Sequence, residues 1–228
     1  MRVAGLASVF LKDHFRRADV LGDVLTASLA YLLLDPRARP YDWSYAATIL
    51  SVFACVLPAI VTIFLTSRAG DTKAETFILG AGRARYYIGV MLAGVAVSLF
   101  WITVIGVSLS VVVGQAPPPV VIRSWAAGVA LNTVLTVTLF SLLSTMCGTP
   151  VEPIVAVVIV ILGLSSSWFA GLPTVWLQKL EFLVPPLLQN AKAASGTGDP
   201  LAARTALYAA VLLSAGILRF QRKEFRWS

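Results

Sequence analysis

The hydrophobic positions of this chain do not alternate with polar ones. They run together in blocks about as long as a bilayer is thick. Five blocks are nearly uniform: residues 43–66, 86–113, 121–146, 151–172 and 201–219. A hydrocarbon core of ~30 Å takes about 20 helical residues, and each block meets or approaches that length. One more block, the first in chain order at 18–34, carries Asp19 and Asp23 and closes at Asp35-Pro36, so that 43–66 is the second of six. Pro58 lies inside the second block, where neighbouring helices can satisfy the carbonyl it frees. The block 86–113 is long enough to tilt or to project beyond the bilayer, and Gln115 with Pro117-Pro118-Pro119 ends it. Gly148-Thr149-Pro150 makes the fourth and fifth blocks a tight hairpin. Ahead of them all, VAGLASVFLKDHFRR at 3–17 places Leu6, Val9, Phe10 and Phe15 on one helical face and closes on Arg16-Arg17. That pattern suits a helix lying in the headgroup layer. The predicted fold is all-α: a polytopic integral membrane protein with one transmembrane domain over 1–228, six spans and an N-terminal interfacial helix.

Two connections are not ordinary loops. Residues 67–85, SRAGDTKAETFILGAGRAR, are charged yet enclose the apolar run Phe77-Ile78-Leu79. Residues 173–200 hold Pro173, Pro185-Pro186, the helix-like TVWLQKLEFL and the polar SGTGDP. That second segment is too apolar for a plain loop and too broken for a span, so it reads as a re-entrant or interfacial hairpin.

Composition strengthens the membrane reading. Of 228 residues, 58% are hydrophobic and 13% charged, and the mean hydropathy is +0.84. Soluble domains run nearer a quarter charged, and a soluble fold of this size could not hide so much apolar surface. The formal charge of +7 reads as orientation rather than as a nucleic-acid footprint. With a cytoplasmic N-terminus, twelve of the eighteen Lys and Arg residues fall on the inner side, as the positive-inside rule requires. Both termini are then cytoplasmic. The early apolar positions are broken by Lys12, Asp13, His14, Arg16 and Arg17, so the N-terminus does not read as a cleavable signal.

Chemical equipment is sparse. The single histidine, His14, sits in the basic N-terminal segment, so the serines of GLSSSW at 163–168 have no base to activate them. Cys55 and Cys147 stand alone in apolar runs and read as buried small hydrophobes. No His/Cys/Glu cluster offers a metal site, and no phosphate-cradling G-x-x-x-x-G-K-[ST] loop is present. Ionisable groups are nearly missing from the last five spans. Asp19 and Asp23 are the candidates for a coupling role, against a plainer reading in which they complement a helix dipole and meet Arg16 or Arg17. The expectation is a non-enzyme without cofactor or metal, whose drive comes from elsewhere. Inside the fourth block, Asn132 and Thr136 stand one turn apart and either line a substrate pathway or bond helices together. Small residues recur at Gly89 and Ala93, at Gly106 and Ser110, and along Ala156, Gly163, Ser167 and Ala170, suiting close packing or a second copy.

This layout resembles the ABC-2 type permease subunits, the membrane halves of type V ABC exporters. The stretch 67–89 is similar to that family's segment after span two, with Arg83, Tyr86, Tyr87 and Gly89 at the re-entry and Gly80 and Gly82 where proline is frequent. LPTVWLQKLEFLVPPLLQNAKA at 172–193 resembles its outer helical hairpin, and Phe220 to Phe225 its ending. The resemblance implies a bacterial inner or plasma membrane protein that pairs with itself or a close relative. It implies two cytoplasmic ATPase subunits as partners, which bind the ATP. The loop 67–85 would be a coupling helix, with Asp71, Lys73, Glu75, Phe77, Arg83 and Arg85 facing the ATPase. Trp176, Leu180 and Leu183 would form an outer gate, and the substrate would be a lipid, a peptide or another apolar or amphipathic small molecule. A non-transporting membrane scaffold, or a secondary transporter or channel, are the competing readings.

Overall fold

A computed structural model describes residues 3–16, 19–34, 41–68, 82–144, 149, 151–166, 182, 184–194 and 201–222. Among them all extended regular structure is α-helical. The helices are α1 (Val3–Arg16), α2 (Asp19–Leu33), α3 (Trp43–Arg68), α4 (Arg83–Val113), α5 (Pro119–Leu142), α6 (Glu152–Leu164), α7 (Leu187–Ala194) and α8 (Ala202–Arg222).

The helix ends follow local chemistry. The Asp42 carboxylate accepts the backbone N–H of Ser44 at 2.9 Å and of Tyr45 at 3.1 Å, capping α3. Gly114 stops α4 in the left-handed region at φ 71°, with its N–H donating to the Ser110 carbonyl. Pro119 opens α5, where a missing N–H costs nothing. At the start of α6 the Glu152 carboxylate accepts the Thr149 backbone N–H at 3.0 Å and the Thr149 hydroxyl at 3.3 Å.

Four helices are long and apolar enough to cross a membrane: Trp43–Ser67, Arg83–Val113, Pro119–Leu142 and Ala202–Arg222. The other two predicted spans are helical but short. At 1.5 Å per residue, α2 is about 22 Å long and α6 about 20 Å, less than the ~30 Å core. The fifth predicted span, 151–172, turns at Ser165 and Ser166, and its remainder lies outside the described residues.

Packing is centred on α5, which lies against α3, α7 and α8, while α4 carries α1 on its flank and packs on α3. Three apolar clusters stack along the bundle. One joins Leu65, Tyr86, Tyr87, Val90 and Phe220 where α3 ends, α4 begins and α8 ends. A second joins Leu34, Ala46, Leu109 and Val113 at the opposite end. The third, around Cys55, Leu135, Phe140 and Leu187, fills the middle. Outside this core, Leu21, Leu25 and Leu32 of α2 and Ile154, Val158 and Ile161 of α6 are exposed. Such surface would be costly in water and is ordinary against lipid.

The predicted interfacial helix is α1, and its apolar side is turned to protein. Leu6, Ala7 and His14 are buried. A Cβ on Gly89 would stand 3.0 Å from the Leu6 Cβ, so glycine is what lets α1 lie directly on α4. Of the predicted outer hairpin, 184–194 and Phe182 are described. Leu187, Asn190 and Ala191 of α7 are buried against α5 and α3, inside the bundle.

Candidate functional site

The end of the bundle where α3 ends, α4 begins and α8 ends is a fastened platform. Arg83 Nη1 donates to the Gln221 carbonyl at 2.5 Å, tying the first residue of α4 to the last turn of α8. Tyr86 stacks on Phe220 with centroids 6.1 Å apart and meets Phe10 of α1 edge-on at 5.3 Å. A Cβ at Gly216 would collide with the Tyr87 ring, so α8 approaches α4 here without a side chain between them. The Arg219 guanidinium holds the Glu152 carboxylate with two contacts of 2.6 Å, adding α6 to the same end. Of the predicted coupling residues, Arg83 and Arg85 belong to this platform, with Arg85 exposed. Asp71, Lys73, Glu75 and Phe77 lie outside the described residues.

A polar seam runs through the middle. Asn132, fully buried, donates from Nδ2 to the Ser51 carbonyl of α3 and to the Leu187 carbonyl of α7, each at 3.2 Å. Thr136, one turn on, faces the buried Cys55 thiol. Asn190 of α7 donates to the Thr205 hydroxyl of α8 at 3.0 Å. The two predicted pathway residues thus share one face, and both are buried among the described residues. Most other hydroxyls in the spans bond to their own helix four residues back: Thr66, Ser98, Ser110, Ser124 and Thr138 all do so. The hydroxyls of Ser51, Thr62, Thr133 and Ser141 are buried with no partner among the described residues.

At the opposite end, where α3 begins and α4 ends, an apolar cavity of about 230 Å³ opens between α3, α4 and α5, walled by Trp43, Leu50, Gly106, Val107, Pro117 and Trp125. The predicted gate residues Trp176, Leu180 and Leu183 lie outside the described residues. Their neighbours are fastened to α8: the Tyr208 hydroxyl donates to the Phe182 carbonyl, and Arg204 Nη2 donates to the Val184 carbonyl at 3.1 Å.

The sequence reading missed a buried ionisable cluster. His14 Nε2 stands 2.6 Å from Asp23 Oδ2, with both side chains 0% exposed. Trp101 Nε1 of α4 donates to the same Asp23 oxygen at 3.0 Å. Asp23 therefore meets His14 and Trp101; of the arginines expected there, Arg16 is exposed and Arg17 lies outside the described residues. His14 is not a solvated member of a basic segment. The signal was in the periodicity: Leu6, Phe10 and His14 recur every four residues, and Asp23, Ala30 and Leu34 share the buried side of α2. Among the described residues no three His, Cys, Asp or Glu side chains gather as a metal site would require.

No protein-family model matches the chain, and no characterised protein is detectably similar to it in sequence.

Proposed function

We propose that the chain is the membrane subunit of an ATP-driven exporter of the ABC-2 permease type, carrying an apolar or amphipathic substrate outward. It would work as a pair of copies, or with a close relative, above two separate cytoplasmic ATPases that bind the ATP. In this reading six helices span a bacterial plasma membrane, with α2 and α6 as the shorter ones, and both termini are cytoplasmic. Residues 173–200 form the outer hairpin, with Trp176, Leu180 and Leu183 on the gate.

The observation that carries the proposal is the fastened inner platform. Residues 69–81 join the end of α3 to the start of α4, and the start of α4 is bonded through Arg83 to α8 and packed through Tyr86 on α1. A push delivered to that loop would reach three helices together. Movement of several spans as one body is what coupling to an outside motor requires. The largely neutral interior of the last spans supports an external source of energy.

The test is co-purification from native membranes, with the accompanying chains identified by mass spectrometry. A P-loop ATPase should travel with the protein, and Glu75→Ala and Arg83→Ala should each weaken that association and its ATP turnover. If no ATPase accompanies the wild-type chain, or if both variants leave complex and turnover intact, the exporter reading fails.

A further inference from the structure

An exporter pushed at the opposite end assigns no occupant to the cavity between α3, α4 and α5. Small residues make that space. Ala46 and Ala47 of α3 are buried at its back, beside Leu50. On α4, Gly106 leaves room for the Trp125 ring of α5, whose Cη2 would stand 2.7 Å from a Cβ there. The indole thus reaches across to α4 and forms a wall. At about 230 Å³ the space is about half again as large as an apolar cavity that takes up benzene.

Its mouth faces outward. Thr103, Val107 and Ile122 line it and are exposed, as are Val104 and Val111 on the adjoining surface of α4. The three helices are candidate membrane spans, so the surface around the mouth meets hydrocarbon.

The polar groups of the wall differ in one respect. The Thr103 hydroxyl donates to the Leu99 carbonyl at 2.7 Å, and the Ser110 hydroxyl to the Gly106 carbonyl at 2.9 Å. Trp125 Nε1 is buried and has no hydrogen-bond partner among the described residues. A buried indole N–H usually finds a partner, and an unpaired donor costs free energy. No ionisable side chain lines the space among the described residues, so a charged group would have no counter-charge there.

We propose that this cavity is a lipid site. It takes one acyl chain of a bilayer lipid, and the Trp125 N–H donates to the ester carbonyl at the head of that chain. The carbon walls match the chain, and the single unpaired donor matches a neutral acceptor. The mouth opens where bilayer lipid is always at hand. Depth agrees: Trp43 is the first residue of α3, and Trp125 lies about 9 Å from the start of α5 at 1.5 Å per residue. Tryptophans near the ends of spans stand close to the headgroup level. The N–H lies beneath the wall surface, so a small turn of the ring accompanies the bond. The proposal needs these helices to lie in a bilayer and needs no ATPase, so its failure and the failure of the exporter reading are separate events.

The full chain in phosphatidylcholine nanodiscs tests it, without any ATPase. The probe is a phosphatidylcholine carrying a diazirine on one acyl chain. After illumination and digestion, mass spectrometry locates the adducts. They should concentrate on Leu50, Val107 and Ile122. Leu50 is 4% exposed, so an adduct there needs a chain inside the cavity. Val107 should exceed Val111, a valine of the same helix that is 74% exposed and outside the cavity. Trp125→Phe keeps a ring and removes the donor. Cavity adducts should then fall about two- to tenfold, the worth of one hydrogen bond, with Val111 unchanged. Ala47→Leu fills the back of the space and should bring Val107 down to the Val111 level. Adducts spread evenly along α4 would be ordinary boundary lipid and would overturn the proposal. So would cavity adducts indifferent to Trp125→Phe, or none in the cavity, as when another segment of the chain fills it. Thermal melts check that each variant folds; where one does not, the wild-type contrast of Leu50 and Val107 with Val111 decides.

Discussion

Asn132→Ala separates the two roles open to this residue, a strut between helices or a polar group on a pathway. The wild-type amide donates to two carbonyls on two other elements, Ser51 of α3 and Leu187 of α7, each at 3.2 Å. Side-chain hydrogen bonds between membrane helices are worth on average ~0.6 and at most ~1.7 kcal/mol each. Two of them give about 1–3 kcal/mol. The low half of that range is expected, because both carbonyls belong to helices whose ladders satisfy them once the amide is gone. Truncation also leaves a small cavity, which returns part of the difference. We expect a loss of about 2 kcal/mol. For a domain of this length that corresponds to a fall in Tm of ~4–8 °C. The assay uses the chain itself. Cys55 is buried beside the same seam, so in a Cys147→Ser background a thiol-reactive dye reports the loss of that packing. A Tm within a degree of wild type, or above it, would refute the strut.

The platform yields three further expectations. Gly216→Val should be destabilising by ~1–3 kcal/mol, since any Cβ there meets the Tyr87 ring; Tyr87→Ala in the same chain should recover part of the loss, as a double-mutant cycle in thermal melts would show. Arg219→Gln removes a two-contact pair that is 40% exposed on the arginine and 17% on the glutamate; about 1 kcal/mol is expected by chemical denaturation, shrinking in high salt. Gly89→Leu should lift α1 from α4, because the Leu6 Cβ it meets is fixed to the α1 backbone. Faster deuterium exchange over residues 3–16, with α5 unchanged, is the outcome to look for.

The helical class and the long spans were legible because uninterrupted apolar runs of 20 or more residues admit little else. The stop of α4 was equally plain in Gln115 and the prolines that follow it. Legibility failed where one-dimensional hydrophobicity carries no partner information. Asn132 could be placed on a face, but nothing in the chain says that α7, 55 residues on, turns a carbonyl toward it. The link from Arg219 to Glu152 joins residues 67 positions apart, each of which reads alone as an ordinary helix-end charge. His14 was misread for a different reason. Counting it with Lys12, Arg16 and Arg17 as one basic cluster ignored the four-residue spacing that sets it with Leu6 and Phe10 on the buried side. The cluster is real in sequence, but Lys12 and Arg16 are exposed while His14 is buried on the other face of the same helix.

If the chain is the exporter subunit proposed above, the distribution of satisfied hydrogen bonds bears on where its substrate would travel. A polar path through one copy would need donors and acceptors free to meet a ligand. The hydroxyls of Thr66, Ser98 and Thr138 are committed to their own helices and the Asn132 amide to two others. Those without partners among the described residues, Ser51, Thr62, Thr133 and Ser141, have at most 1% of their surface accessible. Reaching them would mean parting α5 from α3, the most extensive helix pair among the described residues. Apolar surface, by contrast, is already available. The cavity between α3, α4 and α5 is lined almost wholly by carbon, with Trp43 and Trp125 in its walls, and among the described residues α6 buries only Ala156, Val160 and Gly163. An amphipathic substrate moving along such surface, between two copies and not through one, would leave the internal seam intact through each cycle. That route asks of the seam only that it hold the bundle rigid while the inner platform is pushed.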